Sequence, residues 1–375
     1  MQTMHVGVYP YSMEVDPILR HSHLLSSSYD ICALVSPRGW GLSGHKVLFK
    51  HNKKELTVNT EFETFVEDID TIFIPEFNVS EAVETKIIEK ISSVVSRVKK
   101  VICSAKLSEK NKINLIRHCE QMDCVWEDLN KSNSIEHYGL SRYIEENPPL
   151  EKVDTPILAI AGLWEDTDKF ETSLAIRDMF INSEYRISQV GSRNCCEMFG
   201  FHSFPSFMWD KNIDAADKVC FLNRWIKQLI DKEKSDLLIL TVPGCIQNLN
   251  EVFTRGFGLV PHIVFQAILV DYLIFCTMYD YNSIEFLQEI SKMCKYRFGV
   301  EVDCFHMSNL FFDLASSQEQ SKVVVNHVCR STVTKTLEMN FGSVQIFNML
   351  DTSSQKRVFE LIKKRLTGDD FPIAI

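Results

Sequence analysis

Hydrophobic and polar positions along this chain follow two rhythms. Short apolar runs read as strands buried on both faces, and stretches with apolar residues every three or four positions read as helices. In the first half, strands are expected over residues 4–9, 29–36, 71–74 and 101–104, with a short edge strand over 123–126. Helices are expected from residue 12 toward 25, over 80–98 and over 111–122. The helix over 80–98 carries Val83, Ile87, Ile88, Ile91, Val94 and Val95 at a period near 3.6. Alternation of this kind predicts a parallel sheet with helices on both faces. A polar stretch from Tyr143 to Asp154, with Pro148 and Pro149, then breaks the pattern and reads as a linker. The second half starts again. It has expected strands over 155–163, 185–190, 236–242, 272–278 and 300–307, and helices over 168–181, 215–230, 282–293 and 352–366. We therefore expect two α/β domains. Residues 1–147 form a Rossmann-like parallel sheet, and residues 148–375 form a diverged P-loop-type α/β sheet.

Composition fits that picture without sharpening it. At 375 residues, 45% apolar and 24% charged, the chain can fill two cores. A formal net charge of −10 argues against nucleic acid as a partner. The basic clusters are short and read as solvated helix faces: Arg97 with Lys99 and Lys100, and Lys363 with Lys364 and Arg365. The start of the chain lacks the charged and apolar regions of a signal peptide. The longest apolar stretch, 257–279, is broken by Pro261, His262, Gln266 and Asp271, so it reads as a helix and a buried strand rather than a membrane span. A cytoplasmic protein with no membrane partner is expected. The twelve cysteines form no C-x-x-C pair and read as reduced, mostly buried thiols. Cys304 and His306 would share one strand face, but two ligands do not make a metal site, and none is expected.

The chemistry of interest lies between the first strand and first helix of the second half. Gly162-Leu-Trp-Glu-Asp-Thr-Asp168-Lys169 is a strand, a glycine, a short loop and a lysine opening a helix, which is the layout of a P-loop. There, backbone N–H groups and the helix N-terminus hold phosphate. The residues depart from that layout. Asp168 stands where a second glycine would let the backbone approach phosphate. Glu165 and Asp166 add negative charge. Phe170 replaces the hydroxyl that would hold Mg²⁺, although Thr172 lies one turn further on. The strand over 236–242 ends in Pro243-Gly244, with no carboxylate at its tip. Three readings stay open. Asp168 and Glu171 can form a capping box, leaving a relic loop with Lys169 on the surface. Gly162, Asp166, Asp168, Lys169 and Thr172, with Arg193 and His202, can surround the phosphates of ATP or GTP with Mg²⁺. Or the acids can hold a divalent cation or a cationic peptide group.

Two further clusters stand out. Gly191-Ser-Arg193 and Gly200-Phe-His202 follow a strand, and Arg193 and His202 suit contact with an anion. Gly39, Trp40 and Gly41 follow the second strand and suit a ligand loop, with Arg20 and His21 near the same edge. Asn309 follows the last predicted strand; it can face the cleft between domains, but an ordinary helix-to-strand turn is the favoured reading of this region.

Several phrases together resemble one family. They are Tyr9-Pro-Tyr-Ser12, Arg20-His21, Leu34-Val-Ser-Pro-Arg-Gly-Trp-Gly-Leu42, Gly162-Leu-Trp-Glu-Asp-Thr-Asp-Lys-Phe170, Ser188-Gln-Val-Gly-Ser-Arg193 and Gly200-Phe-His-Ser-Phe-Pro205. The chain is similar to the clostridial peptide maturation system proteins, whose genes lie beside a small precursor peptide and a radical-SAM enzyme. Its second half resembles the dethiobiotin-synthetase-like branch of P-loop proteins, where the glycine-to-lysine spacing is also one residue longer. The resemblance implies a role in maturing a ribosomally synthesised, post-translationally modified peptide such as a bacteriocin. The partners it implies are that peptide and its modifying enzyme, and we expect one or the other to bind at the cleft between domains. It implies no catalytic residue. An NTP-dependent ligase or kinase-like enzyme using Lys169, and a non-catalytic scaffold with a relic loop, are the alternatives.

Overall fold

A computed structural model describes residues 3–49, 54–130, 135–140, 149–165, 167–181, 183–281, 283–321, 323–339 and 341–366, apart from the side chains of residues 63, 64 and 255. By compactness the chain divides into two units. One is Met1–Ser132 with Arg193–Ser203, and the other is Asn133–Ser192 with Phe204–Ile375. The expected boundary at 147/148 falls within 141–148, outside the described residues.

The first unit is built on the strands β1 (Met4–Val8), β2 (Tyr29–Leu34), β5 (Thr71–Ile74), β6 (Lys100–Cys103) and β7 (Val125–Asp128), with a small hairpin of β3 (Lys46–Leu48) and β4 (Glu55–Thr57) beside them. The sheet order is β2-β1-β5-β6-β7, and all its pairings are parallel. All four residues of β5 are buried, as the short all-apolar runs of a two-sided parallel sheet require. The helices Glu81–Ser92 and Glu109–Gln121 turn Ile87, Ile88, Ile91, Leu115 and Cys119 into the core. Two expected helices come out shorter. The segment after residue 12 divides into the turns Met13–Val15, Asp16–Arg20 and Ser22–Leu24. Pro17 has no N–H to continue a helix and sits instead in the first turn of the middle one. The Glu81 helix stops at Ser92, and a separate turn covers Val95–Arg97.

The second unit carries β8 (Ile157–Gly162), β9 (Ile187–Gly191), β11 (Leu237–Thr241), β12 (Tyr272–Thr277), β13 (Cys304–Met307) and β16 (Ile346–Phe347). These six strands pair in the order β9-β11-β8-β12-β13-β16, while the two-residue strand β10 (His202–Ser203) is grouped with the first unit. The pairings from β9 to β16 are parallel. A hairpin of β14 (Leu310–Phe312) and β15 (Val325–His327) follows β13. β8 and β12 are buried throughout. The helices Lys169–Phe180 and Thr352–Leu366 cover one face of the sheet, where Phe180 and Phe359 meet edge to face at 5.0 Å. The helices Ala215–Glu233, Leu259–Ala267 and Ile284–Phe298 contribute Phe221, Phe265 and Leu287 to the core on the other face.

Strand order fixes where each sheet opens. In the first, the chain leaves β1 for β2 on one side and reaches β5 on the other. In the second, it leaves β8 toward β9 and β12 toward β13, in opposite directions. Ligands of open α/β sheets gather at such switch points, beyond the carboxyl ends of the strands.

Candidate functional site

The turn after β8 lies at the second sheet's switch point, and it is folded shut. Leu163 and Trp164 do not face solvent. They join the core, with the Trp164 ring edge-on to Tyr281 at 4.6 Å between centroids. The chain then doubles back, and the Thr167 hydroxyl donates to the Trp164 carbonyl at 2.9 Å. This return passes so close to Gly162 that a Cβ there would lie 2.3 Å from Thr167 Oγ1 and 2.9 Å from Lys169 Cδ. Gly162 is therefore required, but by the protein's own loop: the space over its Cα is filled by Thr167 and the Lys169 stem.

Lys169 opens the Lys169–Phe180 helix as expected, yet it is only 4% exposed, and its ammonium donates to the Gly244 carbonyl in the loop after β11. The expectation of a surface lysine in a relic loop is thus corrected. The neighbouring strand loop supplies a carbonyl where Lys169 can be satisfied only inside the fold. The Ile246 N–H closes the same seam by donating to the Gly162 carbonyl at 3.2 Å.

Asp168 is in the left-handed region at φ 57°, ψ 22°. Its backbone adopts the conformation that a glycine would favour, and aspartate tolerates it better than most residues. The capping box is not formed, because the Asp168 side chain makes no cap hydrogen bond. With the backbone left-handed, its carboxylate reaches the loop just past β13 instead, accepting from the Asn309 N–H at 3.2 Å. Asn309 thus faces the turn of its own unit. Thr172 is fully buried one turn into the helix. The Cys276 thiol, pushed well above its ordinary pKa by burial, donates to its hydroxyl at 3.9 Å. Asp166 lies outside the described residues, and Glu165 is exposed.

Sequence reasoning missed His306 as a companion of this turn. It is fully buried on β13, 3.7 Å from Asp168 through Nε2. Nothing in the spacing of two residues so far apart signals the pairing. Among the described residues, neither Cys304 nor His306 belongs to a group of three metal-type ligands.

Arg193 and His202 are grouped with the first unit, and Gly162, Asp168, Lys169 and Thr172 with the second. Arg193 donates to the Glu14 carbonyl at 2.7 Å, the Asn194 N–H to Glu76 at 2.6 Å, and Asn194 Nδ2 to the Ser104 carbonyl at 3.1 Å. The segment therefore lies across the carboxyl ends of β1, β5 and β6. It leaves a cavity of only about 10 Å³, bordered by Glu14, Glu76, Arg193 and Cys195, room for a single water. The first sheet's switch point is filled by the chain itself.

Gly39, Trp40 and Gly41 follow β2, an edge strand away from that switch point. Both glycines have positive φ, and Trp40 is half-buried against the core of its own unit. A more open cavity of about 440 Å³, lined by Gln288, Lys292, Asp303 and Gln345 among others, lies at the amino end of β13, the opposite edge from the turn.

No family model matches the chain, and no curated protein does. Among solved structures, a DUF1611 family protein from Anabaena variabilis is similar over 98% of this chain and 100% of its own, at 9% identity and a TM-score of 0.58. A Bacillus subtilis protein provisionally assigned as an oxidoreductase is similar over 47% of this chain and 52% of its own, at 13% identity and a TM-score of 0.27. The first likeness is one of fold, running nearly the full length of both chains.

Proposed function

We propose that this chain is a binding and positioning factor in the maturation of a ribosomally made peptide. In this reading its strand–turn–helix unit serves as structure rather than as an NTP-hydrolysing centre. The observation that carries the second part is the commitment of Lys169: buried, with its ammonium on the Gly244 carbonyl and its stem packed over Gly162. A lysine that neutralises nucleotide phosphates must be free to reach them, and this one would first have to give up a buried hydrogen bond. A buried ammonium without a partner is strongly disfavoured. The peptide role rests on the phrases shared with the maturation proteins. Partners would be the precursor peptide and a radical-SAM or other modifying enzyme.

One feature favours the rival, an NTP-dependent ligase or kinase-like enzyme. Lys169 still opens a helix at a switch point, behind a residue with the left-handed backbone of a phosphate-binding turn. Melting curves separate the two. With ATP or GTP and Mg²⁺, the melting temperature should match that in MgCl₂ alone, and Lys169→Met should lower it equally with and without nucleotide. A nucleotide at a hundred times its dissociation constant would stabilise by about 2.7 kcal/mol. A rise of that size, lost in Lys169→Met, would establish the rival. Calorimetric titration with a synthetic precursor peptide of the kind that the resemblance implies tests the other half, and the absence of binding heat would remove the peptide role.

A further inference from the structure

Beneath the turn, one buried side chain lacks a partner. The Met349 N–H donates to His306 Nδ1 at 3.0 Å, so the neutral ring carries its proton on Nε2. That nitrogen makes no hydrogen bond; the nearest acidic oxygen, on Asp168, is 3.7 Å away. Leaving a buried donor unmade costs about 1–3 kcal/mol. The Asn309 N–H points at the same carboxylate from 3.2 Å. Both donors are held from behind. Asn348 Nδ2 donates to Asn309 Oδ1 at 2.7 Å and to the Met307 carbonyl at 3.0 Å, and Asn309 Nδ2 donates to the Val328 carbonyl at 3.2 Å. Two N–H groups fixed by their own hydrogen bonds and converging on one negative charge make an oxyanion-binding arrangement. The charge that fills it fits poorly: from its left-handed backbone, Asp168 reaches one donor and stops short of the other.

We propose that the end of β13 is a binding site for the phosphate or carboxylate group of a small ligand, and that Asp168 is a built-in occupant which such a group displaces. A free oxyanion is not tethered to the turn and can accept from both Asn309 N–H and His306 Nε2–H. The Asp168 side chain is 16% exposed, so it has a path to water when displaced. Because Asp168 also begins the helix that Lys169 opens, occupancy of the site and the shape of the turn are coupled, each biasing the other. The tethered carboxylate competes at an effective concentration on the order of millimolar or more, so the wild-type chain binds weakly. The site stands whether or not the chain handles a peptide.

The test removes the occupant. Asp168→Gly accepts the left-handed backbone without strain, and Asp168→Asn is the fallback that keeps the side-chain volume. Melting temperature is measured against inorganic phosphate, acetate and chloride at matched ionic strength. In either variant, phosphate or acetate should raise it saturably, with an apparent affinity at least tenfold tighter than in the wild type. Which of the two anions acts identifies the ligand group. In ¹⁵N spectra of histidine-labelled variant, the same anion should move the His306 Nε2 resonance. Equal responses to all three anions in both variants, or stabilisation that leaves the His306 resonance unmoved, would overturn the proposal.

Discussion

Glu84 shows what one buried carboxylate does for the first unit. Its Oε1 accepts from the Ser108 N–H at 2.9 Å, the Ser108 hydroxyl at 2.7 Å and Asn111 Nδ2 at 2.7 Å, so a residue of one helix caps the next. Burial pushes its pKa up, but the hydrogen bonds from Asn111 and Ser108 pull harder, and the carboxyl sits below its ordinary value. A depressed carboxyl stabilises the fold fully above the unfolded pKa, about 4.3, and that stability is lost as pH falls through the folded pKa. Glu84→Gln should therefore cost about 1–2 kcal/mol at neutral pH. The cost should shrink below pH 4, where denaturant unfolding of the two proteins converges. At this scale the sequence was half legible. Gly162 and Lys169 as the opener of the helix follow from the strand–turn–helix layout, whereas the left-handed backbone of Asp168 does not, since an N-cap is ordinarily extended. The partners of Asp168 and Lys169 do not, because Asn309, His306 and Gly244 reach the turn through the sheet, and no local spacing encodes that.

At the scale of elements, the long apolar runs announced themselves: β1, β5, β8, β11, β12 and the final helix lie within a residue or two of where periodicity puts them. The hairpins β3–β4 and β14–β15 and the two-residue β16 escaped notice, since strands this short carry too few alternations to stand out. Another irregular element stores strain. Gly256, Phe257 and Gly258 are all left-handed, at φ 78°, 58° and 74°, just before the Leu259–Ala267 helix. A Cβ on Gly258 would sit 2.0 Å from the Ile246 carbonyl oxygen, so glycine is needed there for space as well as conformation. Phe257 has no such relief, and its ring is 60% exposed. Left-handed backbone costs a residue with a Cβ roughly 1–2 kcal/mol, and glycine's extra entropy returns about 0.5–1 of it. Phe257→Gly should thus stabilise by up to about 1 kcal/mol in denaturant unfolding. A clear loss would mean that the ring anchors the loop.

The whole molecule departs most from what a linear reading suggests. Two α/β units were legible because the strand–helix rhythm stops and restarts around two prolines. That Arg193–Ser203 belongs with the first unit was not, since its pins, Glu14, Glu76 and Ser104, lie far back in the sequence. A fragment of residues 1–147 would lack those contacts. We expect its β5 and β6 amides to exchange hydrogen much faster than in the full chain, and a synthetic peptide of residues 193–203 to restore part of the protection. Equal protection without the peptide would show that the segment is dispensable.

The same discontinuity bears on birth at the ribosome. A nascent chain emerges from its amino end at about 5–20 residues per second, and domains ordinarily finish folding in that order. Here the earlier module must wait, its crevice uncovered, until Arg193–Ser203 has emerged, so it completes its fold only after synthesis of the later one has begun.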